Sequence, residues 1–266
     1  MPIDINKIKE KYNALQNQNS KSKLVLKLKP GTHQLRIVPY KFDKSNPLIE
    51  LLFHYNIKGK SYLSPLSFGR PDPLKDFAKK LRATGNKDDF KMARLLEPTM
   101  RTFAPVIVRG EEDKGVRFWG FSKTVYEQIC QIIINGGDIS DPVSGRDIIV
   151  TVKSPDQSSG KSYIAPSIMP ALEKSPLTES REVLEKVING QVQITEVYKE
   201  HTYEELEKIL QDWMTGNEGN EQQPAGEEAE VPEGEEEEKP APNVKTVATT
   251  EDLTKQFKEL FEGKNQ

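Results

Sequence analysis

The sequence predicts an α+β fold, mainly β, and three observations carry that expectation. Short runs rich in Val, Ile, Leu and aromatic residues recur between residues 24 and 168, separated by Pro, Gly and Asn turns. Runs with helical spacing interrupt them at 73–96 and follow them after residue 180. In residues 217–243 apolar residues almost vanish, so that stretch reads as a disordered acidic tail, before Leu253, Phe257, Leu260 and Phe261 regain helical spacing.

Residues 1–21 come first. Ile5, Ile8, Tyr12 and Leu15 sit at helical spacing among Lys7, Lys9 and Lys11, and "NQNSKSK" after them reads as a flexible basic arm. In "KLVLKLKPGTHQLRIVPY", Pro30-Gly31 divides two strands. "LIELLFHYNIKGKSYLS" is a further pair turning near Gly59. Residues 73–96 carry a helical stripe of Leu74, Phe77, Ala78, Leu81, Phe90, Ala93 and Leu96, ended by Pro98. "RTFAPVIVRG" and "GVRFWGFS" flank the charged loop "EEDK" as a hairpin. Ser122 is placed to cap a helix whose stripe is Val125, Ile129, Ile132 and Ile133, stopped at Gly136-Gly137. "RDIIVTVKS" and "KSYIAPSI" are the last strands, joined by "PDQSSG". Two helices follow, "SREVLEKVI" and "TYEELEKILQDWM", the second opened by a capping box of Thr202 with Glu205. The architecture expected for residues 22–215 is a small antiparallel barrel of the OB type with a helical insertion and C-terminal helices.

Bulk composition narrows the function. Residues 1–110 hold 22 Lys/Arg against 9 Asp/Glu, while residues 201–266 hold 6 against 18. A basic half with an acidic tail suggests a polyanion binder carrying its own competitor. Cys130 is the only cysteine, so neither a disulfide framework nor a thiolate zinc site is expected. No signal-peptide run and no stretch of transmembrane length is visible, which predicts a soluble, cytoplasmic protein with no membrane partner. His33, His54 and His201 stand in no metal or triad spacing, and the glycine-containing "PGTHQL" and "INGGDIS" are neither phosphate nor dinucleotide loops. No enzyme, cofactor or metal is expected.

The positive pattern is interleaving of basic residues and rings: "RIVPYKF", "FHYNIKGKSY", "FGR", "MRTF", "RFWGF" and "KSY". Single-strand binders use this mixture, because cations track phosphates while rings stack on unpaired bases. It makes Tyr55 and Tyr62 candidate stacking residues and Arg36, Lys41, Lys153 and Lys161 candidate phosphate ligands. In "GVRFWGFS" Val116 and Phe118 alternate with Arg117, Trp119 and Phe121. The expectation is that Val116 and Phe118 fill the core while Arg117, Trp119 and Phe121 share an open stacking face. Phe53, Phe77, Phe90 and Phe118 read as core, as do Tyr12 and Trp213.

The ordered segments "KLVLKLKPGTHQLRIVPYK", "LIELLFHYNIKGKSYL", "RTFAPVIV" with "GVRFWGFSKTVYEQI", and "RDIIVTVKSPDQSSGKSY" resemble the helix-destabilising, single-stranded DNA-binding proteins of T-even-type phages. The resemblance spans about residues 22–170. It implies stacking roles for Phe103, Trp119 and Tyr163, and phosphate contacts for Lys58, Lys60, Arg101, Arg117 and Lys123. It also implies sequence-independent coating of single-stranded DNA in replication, recombination and repair, within an infected host cell. The N-terminal arm would then mediate self-association along the strand. The region 216–266 would recruit replication and recombination proteins, with Leu253, Phe257, Leu260 and Phe261 as an apolar partner-binding stripe. One departure stands out. Well-known relatives hold a structural zinc with one histidine and three cysteines; His54 matches the histidine, but "LSPLSFGRPDPLKDF" has no cysteine. Two alternatives stay open: an RNA-binding OB protein, and an interaction or assembly factor that acts through its acidic tail.

Overall fold

The structure, a computed structural model, describes residues 23–154 and 166–215. Within them lie eight strands: β1 (Val25–Leu26), β2 (Gly31–Ile37), β3 (Ile49–Ile57), β4 (Lys60–Leu63), β5 (Thr99–Val108), β6 (Arg117–Phe121), β7 (Arg146–Val152) and β8 (Ser167–Lys174). The helices are α1 (Pro73–Ala83), α2 (Lys87–Leu96), α3 (Lys123–Gly136), α4 (Arg181–Asn189), α5 (Ile194–Val197) and α6 (Tyr203–Met214). The fold is α+β and rich in strand. The described residues form two compact units, one of residues 23–50, 101–154 and 166–198, the other of 51–100 and 199–215.

In the first unit the strand order is β1-β6-β5-β2-β7-β8. All pairs are antiparallel except β1 with β6, where Val25 lies beside Phe118. The closed barrel expected from the sequence is not observed: among the described residues no pairing joins β8 back to β1. Closure needs edge strands long enough to pair with each other, and β1 is two residues long. The described part of the last strand, Ser167–Lys174, overlaps the expected 161–168 at its start and runs beyond it. β8 pairs Ile149 with Met169 and Val150 with Ile168, while residues 161–165 lie outside the described part.

The main core is built where α3 lays Val125 and Ile129 over the sheet. It gathers Leu35 and Ile37 of β2, Ala104 and Val106 of β5, Ile148 and Val150 of β7, and Trp119 and Phe121 of β6. The β6 faces are therefore not as predicted. Trp119 and Phe121 face this core, at 4% and 2% exposure, with ring centroids 4.7 Å apart. The opposite side of β6 is covered as well. Phe118 meets Tyr40 edge-on at 6.2 Å, and Val116 packs with Val38, Ile107, Leu177 and the α4 residues Leu184 and Val187. A strand buried on both faces reads as apolar on both, which is why its alternation misled. Ser122 does take the N-cap position of α3, but its side chain makes no capping bond.

The second unit pairs β3 with β4 through a turn whose Asn56, Lys58 and Gly59 have φ of 59°, 54° and 72°. Three helices surround its core of Leu74, Phe77, Ala78, Leu81, Met92, Ala93, Leu96, Leu206 and Leu210. Their starts follow from capping chemistry. Asp72 accepts from the N–H groups of Leu74 (2.9 Å) and Lys75 (3.2 Å), with Pro73 at the first helical position. Thr202 and Glu205 form the expected capping box at 3.2 and 3.1 Å. Phe90 departs from expectation at 53% exposure. The stripe of α2 that is buried runs through Asp89, Met92, Ala93 and Leu96, and Phe90 lies about 100° around the helix from Asp89.

Candidate nucleic-acid interface

The candidate cations separate by burial. Arg36 is fully buried, contrary to a role in gripping phosphate. Its Nε lies 3.2 Å from Asp147 Oδ1, and one terminal nitrogen donates to Ser175 Oγ (3.1 Å) and to the Ser175 carbonyl. Asp147, itself 3% exposed, accepts from Arg109 Nε (2.8 Å) and Nη2 (3.0 Å) and from Gln34 Nε2 (2.7 Å). Two guanidiniums thus share one carboxylate inside the first unit. Arg101 is also buried, donating to the Gly120 carbonyl at 3.0 Å. Arg117, 9% exposed, pairs with Glu111 at 2.6 Å. Lys114 and Arg117 together hold the Glu111 carboxyl down at about 2, so its contribution is full above the ordinary carboxylate range and fades as pH falls toward that value. These three arginines tie the first unit together and are not open to a polyanion in this structure.

The lysines behave otherwise. Lys58 and Lys60 stand exposed at the β3–β4 turn, Lys123 is exposed in the first turn of α3, and Lys153 is exposed just after β7. Lys123 faces Glu127 at 3.8 Å, a loose solvent-side pair. Lys41 is exposed, but its Nζ donates to the Asn189 carbonyl at the C-terminus of α4 (2.8 Å), where the helix dipole favours a cation. Lys161 lies outside the described residues.

The candidate stacking rings fare less well. Phe103 is fully buried, 5.2 Å from the Tyr198 ring, and its own ring sits over Gly120 so closely that a Cβ there would fall 2.7 Å from Cε1. Trp119 and Phe121 belong to the core, and Tyr62, 8% exposed, packs edge-on to His201 at 5.4 Å. A base needs an open ring face, and none of these four offers one here. Tyr55 keeps part of its surface, 6.1 Å from the buried Phe53. Tyr163, Leu253, Phe257, Leu260 and Phe261 lie outside the described residues.

Sequence reasoning assigned no binding role to three exposed phenylalanines that each carry a cation, and read one of them, Phe90, as core. Lys41 Nζ stands 5.4 Å from the Phe42 ring centroid, Arg70 5.0 Å from Phe68, and Arg82 5.3 Å from Phe90. Their exposures are 47%, 38% and 53%. The signal was present, because "RIVPYKF" and "FGR" both place ring and cation one or two residues apart.

No group of three or more histidine, cysteine or acidic side chains suited to a metal occurs among the described residues. His54 is fully buried, with Nδ1 2.8 Å from the Leu96 carbonyl and Nε2 2.8 Å from Asp72 Oδ2, while Ser64 Oγ donates to the same carboxylate oxygen. Burial opposes the Asp72 charge. The hydrogen bond and charge of His54, with the donors Ser64 and Lys75, outweigh it and hold the carboxyl below its usual value. The histidine thus ties β3 to the start of α1 and the end of α2, and neither ring nitrogen is left to ligate a metal.

Comparison with family models matches residues 29–214 to the family described as gp32 DNA binding protein like. The chain belongs to that family. A search of curated proteins gave no significant match. The gp32-like region runs from just before β2 to the last residue of α6 and so takes in both compact units. The predicted arm at 1–21 and tail at 216–266 lie outside it. Among the described residues of this gp32-like chain, no helix is long and apolar enough to cross a membrane.

Proposed function

We propose that this gp32-like chain binds single-stranded DNA without base specificity and catalyses nothing. The observation that carries the reading is the family match across both units. The exposed Lys58, Lys60, Lys123 and Lys153, and the ring–cation pairs, are chemically suited to it. On this reading the first unit is an OB-type barrel left open between β1 and β8, and the protein works in the cytoplasm in replication, recombination and repair. The basic residues 1–21 link neighbouring copies along a strand. The acidic residues 216–266 recruit replication and recombination proteins through Leu253, Phe257, Leu260 and Phe261.

Fluorescence anisotropy with a labelled dT oligomer over a salt series tests the binding claim. The logarithm of the association constant is expected to fall linearly with the logarithm of salt, by about 0.7 per phosphate neutralised. Failure to bind at low salt would refute it.

A further inference from the structure

An exposed phenylalanine by itself means little, since apolar side chains are scattered over every protein surface. Phe42 differs in how it is held. Tyr40 and Asp43 form an isolated antiparallel bridge, so Lys41 and Phe42 are the tip of a tight turn. Asp43 Oδ1 closes the far side by accepting from Ser45 N (2.9 Å) and Oγ (2.6 Å). The near side is tied to the segment following α4 at several points. Gln191 Nε2 donates to the Pro39 carbonyl (2.8 Å), the Lys41 N–H donates to Gln191 Oε1 (3.3 Å), and Ile194 N–H donates to Tyr40 Oη (3.2 Å). Lys41 Nζ adds its bond to the Asn189 carbonyl.

The ring itself is half exposed, with a second ring beside it. Tyr40, 5% exposed and wedged edge-on against Phe118, stands 5.4 Å from Phe42 at 58°. Tyr40 belongs to the buried core and Phe42 does not. The Phe42 ring stays 47% exposed, with an ammonium 5.4 Å from its centroid. A flat ring fixed before the ligand arrives loses little entropy on stacking, the general advantage of preorganisation. A neighbouring cation suits a partner whose bases alternate with phosphates.

We infer that Phe42 is a preformed base-stacking platform for single-stranded nucleic acid, held in place by the turn from Tyr40 to Asp43 and its bonds to residues 189–194. The inference rests on the single-strand binding proposed above and assigns that binding a ring outside the earlier candidates.

The test uses the full chain and two probes of equal length, a dT oligomer and an abasic deoxyribose-phosphate oligomer. Phe42→Ala is expected to bind dT at least about fivefold more weakly, the lower end for one stacked base, and to bind the abasic oligomer as the parent does. Phe42→Leu, which keeps the apolar contact with Tyr40 but not the flat face, should show the same selective loss. Phe42→Trp should keep its affinity and add a tryptophan signal that dT quenches and the abasic oligomer does not. Equal losses on both probes, or no loss on dT, would overturn the assignment while the parent protein still binds. If the parent binds neither probe, the single-strand reading itself fails, and this one with it.

Discussion

Trp119→Ala is expected to destabilise the protein by about 3–5 kcal/mol, the usual cost of truncating a buried aromatic side chain. The ring is 4% exposed and sits among Leu26, Ala104, Phe121, Val125 and Ile129, with Phe121 at 4.7 Å. Removing it leaves a void bounded by α3 on one side and by β5 and β6 on the other, and neither a helix nor a paired strand can collapse into it freely. The effect should appear as a lowered urea midpoint with an unchanged slope. The fraction that remains folded should bind a dT oligomer like the parent. A variant that melts normally and loses binding would place Trp119 on an open stacking face, as its alternation with Phe118 first suggested.

The second large effect is expected at Asp147. Among the described residues Asp147 is the only carboxylate that pairs with Arg36, so Asp147→Ala removes that partner, and it also strips two bonds from Arg109. Arg36 has no exposed surface through which to find water. Breaking a buried ion pair from one side costs about 3–5 kcal/mol, because the surviving charge is left without compensation. Arg36→Met in the same chain should recover part of that loss, since an apolar side chain of similar length suits the site better than an orphaned guanidinium. A drop below about 1 kcal/mol for Asp147→Ala, the range of an exposed pair, would show that water reaches the cluster.

What could be read from the sequence was whatever is encoded locally. The β3–β4 hairpin, α1 with its Asp-Pro start, and α6 with its Thr202–Glu205 box each carry their own signal within a few residues. The faces of β6 depended on tertiary packing: α3, which follows it directly, covers one side, and α4, far along the chain, covers the other. The open strand path depended on how little of residues 25–28 pairs. Arg36 and Asp147 were legible in part: Arg36 is a lone charge inside "QLRIVP", and Asp147, of opposite sign, stands beside Arg146 at the head of the apolar run in "RDIIV". A single strand-buried charge calls for a partner, and that signal competed with the reading of Arg36 as a phosphate ligand. Phe42 was given no role of its own within "RIVPYKF", because what sets it apart is a turn anchored near residue 190, far along the chain.

The central claim is preference for single strands, and the melting of an alternating dA–dT duplex tests it. A ligand that favours the separated strands lowers the melting temperature, and one that favours the duplex raises it. With the full chain in stoichiometric excess over nucleotides at low salt, the account predicts a lowered melting temperature that returns toward the free value as salt is added. A raised or unchanged melting temperature under conditions where the protein binds dT would contradict it.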